Sequence, residues 1–134
     1  MRDLITTAKS FYRDGLSDPV GACEKFLSQD FVLENYLPQH FPFGGRYEGA
    51  SGFLQYLGEI SSSIDMGPLQ MDEWITDGNV VVVRGTEESL VKATGRKYAM
   101  RFVHWLTFDD SGRILIMKEF NDTAEMAKAF DPEA

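Results

Sequence analysis

A histidine lies in the middle of a long segment in which apolar and polar residues alternate. Between positions 96 and 109 the alternation is that of a β-strand, so every second side chain lies on the same face. His104 lies on the apolar face, together with Tyr98, Met100, Phe102, Leu106 and Phe108. A buried imidazole needs a hydrogen-bond partner, because an unpaired buried polar group is costly. His104 is therefore the first candidate for acid–base chemistry.

Carboxylates occur on the strand that is predicted after the next turn. If the turn is a three-residue loop, His104 lies opposite Lys118 and Asp122 shares the face of the histidine. A shift of one residue, or a bulge at Gly112, brings Glu119 opposite His104 instead. The sequence leaves both registers open. Each of them places a carboxylate on the face of the histidine.

The functional hypothesis is that His104 and a carboxylate, Asp122 or Glu119, hold or relay a proton beside a bound carbonyl compound. Apolar surroundings move the pKa of an imidazole or a carboxyl group away from its solution value, which permits acid–base chemistry near neutral pH. The alternative is structural. In that interpretation His104 is a core residue with a local hydrogen bond, and Asp122 is the N-cap of a helix that starts at Thr123.

Aromatic residues are numerous enough to form the walls of such a site. The chain has ten Phe, five Tyr and two Trp, and a core lined by rings can leave a cavity for a flat organic ligand. The segment 37–49 is rich in Pro and Gly, which indicates a loop or lid. Our candidate substrate-binding residues are Tyr12, Tyr36, Phe43, Trp74, Tyr98, Phe102 and Phe120. Packing of these rings in the core is the alternative.

Other chemistries have no support in the sequence. The two histidines lack metal-ligand spacing, and the single Cys23 lies in an apparent helix as a small buried thiol. No phosphate-binding loop or nucleophile elbow is present. We therefore expect neither a metal nor a cofactor. The pair Glu87 and Glu88 is interpreted as an exposed strand end.

The overall charge limits the partners. The formal net charge is −8, from 21 acidic and 13 basic residues, and such a charge repels nucleic acids and anionic membranes. No segment approaches the roughly 20 apolar residues that span a bilayer, and the first residues lack the apolar core of a secretion signal. We expect a cytoplasmic protein whose partner is a small hydrophobic molecule, without nucleic acid and without a membrane.

The order of elements predicts one α+β domain over residues 1–134. Three helices come early in the chain, four strands follow residue 68, and a short helix closes the sequence. Since strands and helices do not alternate, the arrangement excludes a doubly wound sheet. We expect a curved antiparallel sheet, capped by three N-terminal helices and shaped like a cone open at one end. The predicted helices are 4–16, 19–27, 50–63 and 123–130, and the predicted strands are 31–36, 69–76, 79–89, 96–109 and 113–121.

Three stretches, 43–49, 102–112 and 119–124, resemble the SnoaL-like polyketide cyclase group of the nuclear-transport-factor-2-like (NTF2-like) superfamily. The resemblance implies the cystatin-like cone. In the cyclases the closing strand resembles Glu-His-Trp-Asp, and its inward aspartate is a general acid or base. That residue corresponds to Asp122 here, while Phe120 and Asn121 replace the His and Trp.

The resemblance also implies a function and an assembly. The function is that of a cofactor-independent acid–base enzyme of the cyclase or isomerase type, acting on an apolar carbonyl compound, and the alternative is a ligand-binding or accessory protein without turnover. A homodimer through the convex sheet face is common in this group, and Trp105 is expected on that face.

Overall fold

The computed structural model describes residues 3–38 and 40–133, which form four helices and six strands. The helices are α1 (Leu4–Ser17), α2 (Pro19–Phe26), α3 (Gly49–Ser63) and α4 (Thr123–Phe130). The strands are β1 (Leu27–Asn35), β2 (Arg46–Glu48), β3 (Ile64–Asp77), β4 (Val80–Val91), β5 (Lys97–Phe108) and β6 (Ile114–Asn121). The predicted α+β class is confirmed. No helix in the described part of the chain is long and apolar enough to cross a membrane.

The strands form one curved sheet in the order β2-β1-β6-β5-β4-β3. All neighbouring strands are antiparallel except β1 and β6, which are parallel. The sheet is therefore mixed, whereas the sequence predicted an antiparallel one. A parallel neighbour cannot arise from a hairpin, and here the chain between β1 and β6 includes α3 and three long strands.

The first two helices begin at capping residues of the expected types. Asp3 precedes α1 and accepts a hydrogen bond from the backbone N–H of Thr6 at 3.1 Å. Asp18 precedes α2 and accepts from the backbone N–H of Gly21 at 3.1 Å, and Pro19 occupies the first turn. Such caps satisfy N–H groups that have no partner within the helix.

Some boundaries differ from the prediction. The segment 37–49 contains the short strand β2, which pairs with β1, so it is not wholly a loop. Strand β3 begins at Ile64 rather than at position 69. Gly67 and Pro68 disfavour a strand by their types, but irregular pairing between β3 and β4 accommodates them.

Bulges and a close backbone approach curve the sheet. The pairing of β3 with β4 shifts register twice, between Met66 and Leu69 and between Met71 and Glu73. At Gly85 in β4 an added Cβ would lie 2.2 Å from the backbone oxygen of Gln70. Bulges and glycines of this kind bend strands. The bent sheet leaves a concave face, which the helices cover only in part.

Candidate functional site

A cavity of about 1290 Å³ lies between α1, α3 and the concave face of the sheet. Its walls are mainly apolar, with aromatic rings from the helices and from the strands. Four of the predicted substrate-binding residues line it: Tyr12, Phe43, Trp74 and Tyr98. A cavity of this size and lining can enclose a small organic molecule.

The register of β5 and β6 places Glu119 opposite His104. The shift occurs near the turn, because Thr107 pairs with Ile116 while Phe108 pairs with Ile114, and one residue of β6 bulges out. Of the two registers left open by the sequence, the one with Lys118 opposite His104 is wrong. Lys118 lies opposite Trp105.

Four side chains form a buried polar chain across the floor of the cavity: Tyr12, His104, Glu119 and Tyr56. The Tyr12 hydroxyl lies 2.6 Å from Nδ1 of His104, and Nε2 of His104 lies 3.4 Å from Oε2 of Glu119. Tyr56 donates a hydrogen bond to Oε1 of Glu119. His104 is 6% exposed and Glu119 is 5% exposed. The polar chain thus links α1 to α3 through the two central strands.

Burial changes the acid–base properties of this polar chain. It lowers the pKa of His104 to about 3. It also raises the pKa of Glu119 to about 7, partly opposed by the hydrogen bond from Tyr56 and assisted by the nearby charge of Glu87. Burial likewise raises the pKa of the Tyr12 and Tyr56 phenols well above the ordinary value. At neutral pH the imidazole is neutral and both phenols are protonated, while the raised pKa of Glu119 brings its titration close to neutral pH.

This arrangement can accept and return a proton at one carboxylate. When Glu119 is ionised, its oxygens face the Tyr56 hydroxyl and the Nε2 edge of His104. When Glu119 takes up a proton, the neutral imidazole and the phenols remain available as hydrogen-bonding groups beside it. A carboxyl group with a pKa near the working pH is suited to general acid–base catalysis.

Asp122 does not reach this polar chain. The bulge moves β6 by one residue, which turns Asn121 toward the cavity and Asp122 away from it. The carboxylate of Asp122 lies 3.7 Å from the Arg101 guanidinium instead. Asp122 does precede α4, as the structural interpretation predicted, but its side chain makes no cap hydrogen bond. The expectation that Asp122 shares the face of His104 is wrong.

Three of the predicted substrate-binding residues lie outside the cavity. Tyr36 and Phe120 are exposed and stack on each other at 5.1 Å between ring centroids. Phe120 lies opposite Val103, on the other side of the sheet from His104. Phe102 is buried beside the ring of His104, at 4.5 Å between centroids, and supports the imidazole rather than lining the cavity.

Two polar residues of the cavity were missed by the sequence analysis. Tyr56 follows Phe53 by one helical turn on α3, so the apolar stripe of that helix contains the signal for it. Glu87 was predicted to be exposed, and this is wrong, because it is 7% exposed and lines the cavity. The alternation along β4, in which Val83, Gly85 and Glu87 are all buried, contains the signal for the second residue.

The remaining predictions about reactive groups concern Cys23, the proposed lid and metals. Cys23 is buried, as expected. In the predicted lid Phe41 and Phe43 are buried and pack on Phe130 of α4, whereas His40 is exposed. Among the described residues, no group of His, Cys, Asp and Glu side chains is arranged to hold a metal ion.

Comparison with known proteins decides the family. The family model described as "SnoaL-like domain" matches residues 12–117, most of the chain. The chain belongs to the SnoaL-like family. The matched region includes the end of α1 with Tyr12, most of the cavity walls and the strand that carries His104, and it ends two residues before Glu119. No curated protein matches the SnoaL-like sequence described here.

Solved structures place this SnoaL-like protein in the NTF2-like superfamily. An NTF2-like protein of unknown function from Burkholderia pseudomallei is 25% identical with a TM-score of 0.83, and the match covers 96% of this chain and 98% of that one. TerC, co-crystallised with polyporic acid, is 24% identical with a TM-score of 0.80 and 98% coverage of both chains. An LEH-like epoxide hydrolase of M. tuberculosis is 17% identical with a TM-score of 0.67, covering 94% of this chain and 87% of that one. These likenesses show that the fold is the NTF2-like one.

Proposed function

We propose that this SnoaL-like protein is a cofactor-independent acid–base enzyme of the isomerase or cyclase type, acting on an apolar carbonyl compound. One observation carries the proposal: Glu119, with a pKa of about 7, lies in an aromatic cavity beside a neutral imidazole and a phenol. Asp122, which the family resemblance suggested as the acid or base, has no role in it. Glu119 takes that role.

The proposed step is a proton transfer at carbon. Ionised Glu119 removes a proton from the carbon next to the substrate carbonyl, the electron pair of the C–H bond forms an enolate, and Glu119 becomes a carboxylic acid. In a conjugated enolate, return of the proton from Glu119 to another carbon gives an isomer. Attack of the enolate carbon on a second carbonyl of the same molecule closes a ring instead, and the alkoxide that forms takes the proton from Glu119, which is ionised again. Tyr12 lines the same cavity, and its neutral hydroxyl can donate to the enolate oxygen when Nδ1 of His104 carries the imidazole proton and donates to the Tyr12 oxygen. In that state Nε2 of His104 accepts from the protonated Glu119.

Properties of similar proteins agree with an organic ligand of this kind. TerC was co-crystallised with polyporic acid, and another similar structure is that of an LEH-like epoxide hydrolase. The walls of the cavity are largely apolar here, and burial among them is also what raises the pKa of the carboxyl group. A substrate that is itself apolar would displace water from Glu119 and keep that environment.

Deuterium exchange tests the proposal directly. Cyclic aryl ketones such as α-tetralone are first tested for binding by NMR, and the ligands that bind are then followed in heavy water for exchange of the protons next to the carbonyl. The wild-type protein is expected to accelerate exchange, and Glu119→Gln is expected to lower the rate by about 100-fold or more, the usual contribution of a general base. Asp122→Asn is the matched control and should keep the wild-type rate.

The alternative is a ligand-binding protein without turnover. It is favoured by one observation: among the described residues, every buried side-chain nitrogen or oxygen that is closed to solvent has a hydrogen-bond partner, as in a structural network. Ligands that bind but exchange equally with wild type, Glu119→Gln and buffer alone would establish this alternative and reject the enzyme.

A further inference from the structure

A second carboxylate enters the cavity from β4. Glu87 is 7% exposed and lines the cavity with Tyr98, which is on β5. Oε2 of Glu87 accepts hydrogen bonds from the Tyr98 hydroxyl at 2.8 Å and from the Ser89 hydroxyl at 2.8 Å. The proposed proton transfer uses none of these three residues.

The other oxygen of this carboxylate is available. Oε1 of Glu87 has no hydrogen-bond partner among the described residues. In that part of the chain, every buried side-chain nitrogen or oxygen that solvent cannot reach does have a partner. Oε1 must therefore face open space, and the open space beside Glu87 is the cavity. An acceptor that is nearly buried and has an unused lone pair gains from a donor on a ligand, because an unmet buried acceptor is costly.

We propose that Glu87 forms a second ligand-binding subsite in the cavity, where its Oε1 accepts a hydrogen bond from an alcohol or phenol hydroxyl of the bound compound. This inference rests on one part of the proposed function, which is that a ligand binds in this cavity. It does not depend on turnover of that ligand. The hydrogen bonds from Ser89 and Tyr98 favour the ionised, accepting form of Glu87, against the effect of burial, which raises its pKa.

A neutral hydroxyl fits this position better than a charged group does. A cation would have to give up its hydration to enter a mainly apolar cavity, at a greater cost than a neutral hydroxyl. An anionic group would be repelled by Glu87 itself. A hydroxyl on an aromatic ring provides the donor without a charge, and the ring matches the aromatic walls.

The separation of the two subsites indicates the size of the compound. Glu87 lies opposite Met100 and Glu119 lies opposite His104, on either side of β5 and four residues apart along it. At about 3.3 Å per residue the backbone offset along β5 is roughly 13 Å, and the carboxyl groups themselves are close enough for the charge of Glu87 to raise the pKa of Glu119. A compound with two or three fused rings, carrying the reacting carbonyl at one end and the hydroxyl at the other, can contact both carboxyl groups.

Three probes of equal ring size test the subsite: naphthalene, β-naphthol and the methyl ether of β-naphthol. Their dissociation constants are measured by calorimetry. The wild-type protein is expected to bind β-naphthol roughly tenfold more tightly than the ether, as one hydrogen bond to a charged acceptor would give. Equal affinity for the two, or no binding of β-naphthol, overturns the proposal.

A substitution at Glu87 should reverse this preference. In Glu87→Gln the amide oxygen takes the place of Oε2, where Ser89 and Tyr98 donate, so the amide NH₂ group faces the cavity. The variant is expected to lose the tenfold preference and to bind the ether at least as well as β-naphthol. Glu88→Gln removes the same charge from the next residue of β4, which is exposed, and should keep the preference.

Two further measurements test the subsite independently of the Glu87→Gln variant. In the wild-type protein the carboxyl carbon resonance of Glu87 should shift on addition of β-naphthol and not on addition of the ether, and the absence of a shift rejects the subsite even if Glu87→Gln fails to fold. Glu119→Gln should keep the hydroxyl preference. A protein that shows this preference but no deuterium exchange would therefore reject the enzyme and retain the subsite.

Discussion

At the scale of single residues, one cause acts in opposite directions on the two central groups of the site. Burial removes water from both His104 and Glu119, and in each case it disfavours the charged form. The pKa of the imidazole therefore falls while that of the carboxyl group rises. Near neutral pH the pair at 3.4 Å is therefore a neutral imidazole beside a carboxyl group that titrates, and not an ion pair. In the proposed step the negative charge moves from Glu119 to the enolate and back, and the hydrogen bond from Tyr56 stabilises that charge while it is on Glu119.

The raised pKa of Glu119 should appear in the stability of the protein. Its pKa is about 7 in the folded state against an ordinary value of 4.5, so between these values the folded state binds more protons than the unfolded state, and stability falls as the pH rises. The wild-type protein should therefore lose roughly 3 kcal/mol relative to Glu119→Gln between pH values of about 4.5 and 7. Denaturant unfolding monitored by circular dichroism, repeated across this range, measures the difference.

His104 contributes with the opposite sign, and the comparison removes its effect. Its folded pKa of about 3 is below the ordinary 6.5, so its contribution rises with pH over that interval. Since Glu119→Gln retains His104, the difference between the two proteins reports mainly on Glu119. A difference that does not change with pH would show that Glu119 has an ordinary pKa.

At the scale of elements, the sequence predicts those features of helices and strands that depend on local residue patterns. The inward face of β5 follows from the alternation around His104, and the start of α2 follows from Asp18 and Pro19. The bulge in β6 between Ile114 and Ile116 does not follow, because one extra residue in a strand costs little and leaves no mark on composition. That bulge selects Glu119 over Asp122. The choice of catalytic candidate was therefore beyond the reach of local pattern alone.

Contacts between segments distant in the sequence could not be predicted from local pattern either. The parallel pairing of β1 with β6 joins Leu33 to Met117 across most of the chain, and no turn residue signals such a contact. Glu87 was misplaced for a related reason. A glutamate is rarely buried without partners, and its partner Tyr98 belongs to the next strand, which only the hairpin register brings to it.

Gly85 gives a test of how the strands are held together. An alanine there would place its Cβ 2.2 Å from the backbone oxygen of Gln70 and 2.9 Å from Cζ of Phe102. Gly85→Ala should destabilise the protein by about 1–3 kcal/mol, the usual cost of overpacking, as measured by denaturant unfolding. It should also shift the ring resonances of His104, because Phe102 packs on that ring.

Gly58 provides the contrasting substitution. It lies in α3, it is exposed, and nothing lies within 4 Å of an added Cβ. Gly58→Ala should stabilise the protein by roughly 0.5–1 kcal/mol, since alanine is the better helix former. If Gly85→Ala behaved like Gly58→Ala, the close approach of β3 and β4 at Gln70 would not exist in solution.

At the scale of the whole molecule, exposed apolar residues collect on the convex face of the sheet. Ile75 and Trp105 both flank Val82 in the strand ladder, and Phe120 lies opposite Val103 on the same face. Ile75, Trp105 and Phe120 are exposed, as is Tyr36, which stacks on Phe120. We propose that this face is the contact of a homodimer, because such a row of large apolar side chains favours association.

The dimer can be tested by one charge on the convex face. Sedimentation at micromolar concentration should give a mass of twice 15.1 kDa for the wild-type protein, and Trp105→Glu should halve it. Val20→Glu introduces the same change at an exposed site on α2 and should leave the mass unchanged. A wild-type monomer would end the proposal.

The two tryptophans of the chain occupy opposite sides of the sheet. Trp74 forms part of the cavity wall, with its ring 5.9 Å from that of Tyr12 and the ammonium group of Lys9 above it at 5.5 Å. Trp105 is exposed on the convex face. Replacing Trp105 by phenylalanine would leave a single indole emitter, and its fluorescence would register the arrival of any guest in the cavity. The protein thus contains its own optical sensor of occupancy, which needs no label and no knowledge of the natural substrate.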